Sequence, residues 1–107
     1  MVSISLTANE NLVRESRATH WKGLEGVGGK LFLTNIRIFF KSHPFNFQRY
    51  EQSILLRDIG DLEAKHSDFI SSKLSIFLRD GTKEVFYIPK RKQWVKEIYR
   101  TLARADA

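Results

Sequence analysis

Apolar and polar positions alternate with period two through most of this chain and shift to a period near four only at its end. In "KLFLT" Leu31 and Leu33 share one side, with Phe32 and Thr34 on the other. In "RIFFKS" Ile38 and Phe40 face one way and Arg37, Phe39 and Lys41 the other. Asn35 between them suits a turn, because its short amide tolerates a left-handed backbone and bonds nearby peptide groups. Two strands apolar on much of both faces belong inside a sheet rather than at its edge. "LSIFLRDGTKEVFYIP" reads as a second hairpin: Leu74, Ile76 and Leu78 alternate with Ser75, Phe77 and Arg79, and Val85 and Tyr87 with Phe86 and Ile88. Asp80-Gly81 is a strong hairpin signal, since both positions of a type I′ turn take positive φ.

The remaining stretches are less regular. "NLVRESRATHWKG" divides into Val13, Glu15, Arg17, Thr19, Trp21 against Leu12, Arg14, Ser16, Ala18, His20. Neither side is cleanly apolar, so a partly exposed strand is expected. Gly23, Gly26, Gly28 and Gly29 mark "GLEGVGGK" as a loop. "HPFNFQ" is a second loop, and "RYEQSILLRDI" and "GDLEAKHS" carry alternating apolar positions at Tyr50, Ile54, Leu56, Leu62 and Ala64. After Pro89, Trp94, Ile98 and Leu102 recur every fourth residue with Val95 beside them, which predicts an amphipathic helix. The sum is about seven strands and one C-terminal helix. So many short strands must close or split to bury an apolar face, which predicts a mainly β fold, a small barrel or sandwich capped by the helix.

Composition narrows the class. The 107 residues suffice for one domain, 1–107, with no repeat or linker. Eight Phe, three Tyr and two Trp can furnish its core. The absence of cysteine removes disulfides, thiolate chemistry and Cys-based zinc sites, and fits a reducing compartment, so a cytoplasmic setting is expected. No apolar run reaches membrane-spanning length, and the start lacks the basic region of a signal peptide. Eighteen basic residues against twelve acidic ones leave a net charge of +6, which favours anionic partners or simply keeps the domain soluble.

Catalytic signatures are missing. Lys30 follows Gly29, but position 24 is Leu24 and position 31 is Leu31, so the phosphate-loop spacing fails. His20, His43 and His66 lack metal-ligand spacing, and there is no Gly-x-Ser-x-Gly. No enzyme activity, metal or cofactor is expected. Nucleic acid is disfavoured because Phe32, Phe39, Phe40, Phe77 and Phe86 lie in apolar runs that a core needs, not on polar stacking platforms.

Three motifs in order resemble the GRAM domain family: "GKLFLTNIRIFF", "ILLRDIGDLEAK", and "LSIFLRDGTKEVFYI" followed by Trp94 in a terminal helix. The resemblance spans Glu10 to Leu102. It implies a pleckstrin-homology-like barrel of seven strands with a C-terminal helix, agreeing with the periodicity. It also implies peripheral association with anionic membrane lipid, phosphoinositides among them, through basic residues near the first hairpin loop. On this sequence those are Lys22 and Lys30 flanking the glycine stretch, with Arg37 and Lys41 further on, near Trp21. The structural alternative puts Trp21 in the core and the lysines at solvated strand ends. A second basic cluster, Lys90, Arg91, Lys92 and Lys96 with Arg100, opens the helix, where cations oppose the helix dipole. An anion there would relieve the conflict; a solvated face is the plain alternative. Phe45 and Phe47 around Pro44 are a third candidate, an apolar tip for a membrane or partner. Protein binding, by peptide addition to a free sheet edge, is the competing function.

Overall fold

The computed structural model describes residues 3–44, 50–63 and 73–105. Seven strands run in chain order as β1 (Leu12–Lys22), β2 (Glu25–Thr34), β3 (Arg37–Ser42), β4 (Glu51–Leu55), β5 (Ile59–Glu63), β6 (Lys73–Leu78) and β7 (Lys83–Tyr87), followed by helix α1 (Arg91–Ala105). They form one antiparallel sheet in the order β4-β3-β2-β1-β7-β6-β5. β1 pairs with β2 along its whole length but with β7 only through Thr19–Trp21. The sheet therefore divides at β1 into a four-stranded and a three-stranded half. The edge strands β4 and β5 are consecutive in the chain, joined by a single 3-10 turn at Leu56–Asp58. That turn is tied to both halves: the Leu56 N–H donates to the Ile36 carbonyl (2.9 Å) and the Arg79 N–H to the Asp58 carbonyl (2.8 Å).

The alternation read from sequence sets the core. Leu31, Leu33, Ile38, Phe40 and Ile54 point inward from one half, and Ile59, Leu62, Leu74, Ile76 and Phe86 from the other. Trp94 and Ile98 of α1 complete the cluster, with Val95 and Leu102 partly buried against it. Arg14 of β1 lies over the Trp94 ring (5.7 Å), and its guanidinium donates to Gln93 Oε1 (3.0 Å), which anchors the helix start to β1. Phe32 and Phe39 form a second, smaller cluster on the outer face, covered by Ile4. The double-sided apolarity of β2 and β3 thus has a cause: the N-terminal segment lies across their outer face.

Several local expectations change. The glycine stretch is strand from Glu25 onward, and only Gly23 and Leu24 turn. Gly23 has φ of 65°, and with glycine first of two turn residues this is the type II′ pattern. The Asn35 turn uses no left-handed residue. Instead the Thr34 hydroxyl accepts from the N–H groups of Ile36 (3.1 Å) and Arg37 (3.0 Å), while Asn35 ties the turn to Asn9 and Asn11. At the β6–β7 loop only Gly81 has positive φ (94°). The Gly81 N–H donates to the Leu78 carbonyl and the Leu78 N–H to that of Thr82, so a bulged three-residue loop replaces the two-residue turn. Asp80 closes it by accepting from the Thr82 N–H (2.9 Å) and hydroxyl (2.6 Å).

Candidate functional site

The β1–β2 hairpin presents the most exposed apolar side chain of the described residues: Leu24, at its tip, is 100% exposed. The register explains why. Lys22 pairs with Glu25, so Gly23 and Leu24 project beyond the sheet with nothing packed over them. β7 runs antiparallel to β1 with Trp21 opposite Val85, which brings the exposed Lys83 to this same end, its ammonium 5.6 Å from the Phe77 ring. Lys22 belongs to the inward-facing set of β1, and its ammonium sits 4.3 Å from the Tyr50 ring.

Beneath the tip lies a buried polar group. His20 is only 2% exposed and stacks on Phe86 with ring centres 4.5 Å apart. Its Nδ1 is hydrogen-bonded to the Tyr50 hydroxyl, and its Nε2 lies 3.3 Å from Glu84 Oε1. The tautomer that satisfies both has Nε2 donating to Glu84 and Nδ1 accepting from Tyr50. Gln52 donates to the other carboxylate oxygen of Glu84. The hydrogen bond from His20 holds the Glu84 carboxyl below the usual carboxylate range, against its own burial, with Gln52 and Lys22 acting the same way. Burial, reinforced by the negative charges of Glu84 and Glu25, pushes the Tyr50 phenol well above its ordinary value. The Tyr50 phenol beside the Glu84 carboxylate, with His20 and Gln52, makes a polar link between β1, β4 and β7.

The cations singled out from sequence part company. Lys22 stays at the tip; Lys30, Arg37 and Lys41 lie on the outer face of β2 and β3. Lys30 is paired with Glu15 (2.7 Å), Lys41 with Glu51 (3.8 Å), and Arg37 with the buried Glu10 (2.7 Å). Arg37 also donates to Ser53 and to the Ser5 carbonyl, and Lys41 to that of Ser3, so the N-terminal segment occupies this surface. Trp21 is not core: it is 38% exposed on the outer face, edge-on to Tyr87 at 5.8 Å. Lys90, with φ of 56°, precedes α1, Arg91 is buried, and Lys92 and Lys96 are exposed. β7 carries the chain away from the hairpin, so this second cluster sits at the other end of the sheet from Leu24. Phe45, Phe47 and His66 fall outside the described residues. Among those described, no group of three His, Asp or Glu gathers to hold a metal, and no helix is long and apolar enough to cross a membrane.

Sequence reasoning missed His20, Tyr50, Glu84 and Lys83. For His20 the signal was its place on the same side of β1 as Ala18. The others meet only through strand pairing.

The sequence pattern of the GRAM domain matches residues 2–104, a range that takes in all seven strands and nearly all of α1. The chain belongs to the GRAM domain family. No curated protein matches it in sequence. Among solved structures this GRAM domain is similar to the C-terminal domain of an unknown protein from Leishmania infantum, with a TM-score of 0.78 at 17% identity, covering 90% of this chain and 87% of that one. It is also similar to the Vps36 N-terminal PH domain, with a TM-score of 0.75 at 18% identity over 94% and 84%. A further pleckstrin homology domain matches with a TM-score of 0.68 at 16% identity over 90% and 89%. At such identities the likeness establishes the fold, which is that of the pleckstrin homology domain. Domains of the GRAM and pleckstrin-homology-like kind are generally non-catalytic modules that often bind lipids or proteins.

Proposed function

We propose that this GRAM domain is a non-enzymatic module that docks on anionic membrane surfaces, phosphoinositide-like headgroups included, with the β1–β2 hairpin leading. One observation carries the reading: Leu24 stands fully exposed at the hairpin tip with Lys22 beside it and Lys83 at the same end of the sheet. An apolar tip with two lysines at its end of the sheet suits the boundary between lipid headgroups and acyl chains, where each Lys or Arg contributes about 1 kcal/mol near an anionic leaflet. The net charge of +6 adds a long-range attraction of the same sign. In this reading Lys30, Arg37 and Lys41 stabilise the sheet's outer face, and Lys90, Lys92 and Lys96 supply general positive potential.

Co-sedimentation of the purified domain with neutral and anionic liposomes, at low and physiological salt, tests this. Binding should require anionic lipid, weaken with salt, disappear in a Lys22→Glu, Leu24→Ser double variant, and persist in Lys90→Glu, Lys92→Glu. Absence of binding to any vesicle overturns the membrane reading. Loss only in the helix variant overturns the hairpin as its site.

A further inference from the structure

The end of the β1–β2 hairpin has two unlike sides. Strand pairing sets Trp21 opposite Val85, and side chains alternate along β7, so Lys83, Val85 and Tyr87 share the side of Trp21. Lys22, next to Trp21 on β1, takes the other side, where its ammonium already sits 4.3 Å from the Tyr50 ring. One side thus carries a cation held over a protein ring. The other carries an apolar strip with Lys83 at its end.

Both aromatics of the strip are exposed, Trp21 by 38% and Tyr87 by 40%. They meet edge-on with ring centres 5.8 Å apart. The Trp21 ring packs on Gly26, its Cζ2 3.4 Å from where a Cβ would stand, and so lies fixed against the ribbon. Its indole N–H has no hydrogen-bond partner among the described residues. Amphipathic rings of these two types collect where a membrane meets water, apolar body inward and polar end at the headgroups.

Depth bears on how the strip is used. Trp21 stands two residues behind Gly23, about 7 Å at the rise of a strand. The headgroup layer of one leaflet is about 5–8 Å deep. With Leu24 at the acyl boundary, an upright hairpin leaves Trp21 at the outer limit of that layer. A hairpin leaning onto its Trp21 side draws the ring in.

Resting on the membrane reading above, we propose that the bound domain leans onto the Trp21 side of the hairpin. The indole and Tyr87 sit among the headgroups of an anionic leaflet, and Lys83 meets its phosphates. The indole N–H donates to a lipid phosphate or ester oxygen. Lys22 faces away.

Tryptophan emission tests the tilt, with vesicles of phosphatidylcholine and phosphatidylserine and with phosphatidylcholine alone as the control. Trp94 is enclosed, so a change on adding vesicles reports Trp21. The mixed vesicles should shift the emission of the parent protein to the blue and shield it from acrylamide, and Trp21→Phe should abolish both changes. In co-sedimentation, Trp21→Ser and Lys83→Glu, each shown to fold by a thermal melt, should weaken binding about tenfold. Binding with unchanged emission, or with an affinity untouched by Trp21→Ser, overturns the tilt and leaves the hairpin as the membrane contact. Failure to bind any vesicle overturns both.

Discussion

Glu10 and Arg37 are held 2.7 Å apart, with the carboxylate almost wholly enclosed, although 27 residues separate them in sequence. The Thr34 hydroxyl donates to the same carboxylate (2.6 Å), and the Thr7 N–H donates to its other oxygen (3.2 Å). This one group binds the N-terminal segment to the β2–β3 turn and so keeps Ile4 over Phe32 and Phe39. Glu10→Gln should cost about 2–3 kcal/mol, the worth of hydrogen bonds to a buried charge, as read by urea unfolding at neutral pH.

The same carboxylate confers a pH dependence of known sign. Hydrogen bonding from Arg37 holds its pKa down to about 2 against an ordinary 4.5, despite the opposing effect of burial. The unfolded chain therefore takes up the proton first as pH falls. The stabilisation is complete above about 4.5 and drains away towards 2. Unfolding free energies measured from pH 6 to 2 should fall less steeply in Glu10→Gln than in the parent protein.

Adjacent glycines of β2 should respond in opposite ways. A Cβ at Gly29 would lie 2.3 Å from the Lys41 carbonyl oxygen and 2.9 Å from the Ser42 Cα, atoms of a backbone that cannot yield. Gly29→Ala should cost at least about 3 kcal/mol or prevent folding. Among the described residues, a Cβ at Gly28 meets only the His43 ring, at van der Waals distance, and Gly28→Ala should cost far less than Gly29→Ala. Thermal melts of the two variants make the comparison.

Tyr50 should ionise late. Its phenol is raised by burial and by the carboxylates of Glu84 and Glu25, so above pH 10 the unfolded chain loses this proton before the folded one does. Stability should consequently fall as pH climbs past 10. A tyrosinate absorbance titration should show a component that appears only at higher pH and shrinks in Tyr50→Phe, Tyr99 contributing the remainder because its phenol is raised as well.

Trp94 is fully enclosed between α1 and the two halves of the sheet. Trp94→Ala should cost about 3–5 kcal/mol in denaturant unfolding. A loss below about 1 kcal/mol would show that the helix does not pack against this core.

Periodicity marked β3, β6, β7, the second half of β2 and the terminal helix, because alternation and a four-residue repeat are local consequences of backbone geometry. Leu31, Leu33, Ile38, Phe40, Trp94 and Ile98 are legible as core for that reason. The glycine stretch misled because glycine's meaning depends on its neighbours in space: Gly26 lies under Trp21, and Gly29 is required by the backbone of β3. The fate of the cations was likewise beyond local pattern. A lysine's partner is set by strand register and by what lies across the face, so only the folded sheet separated Lys22 at the tip from the paired Lys30, Arg37 and Lys41. His20, Tyr50 and Glu84 became one group for the same physical reason: they are distant in sequence, and only the closing of the sheet brings their polar atoms within hydrogen-bonding reach.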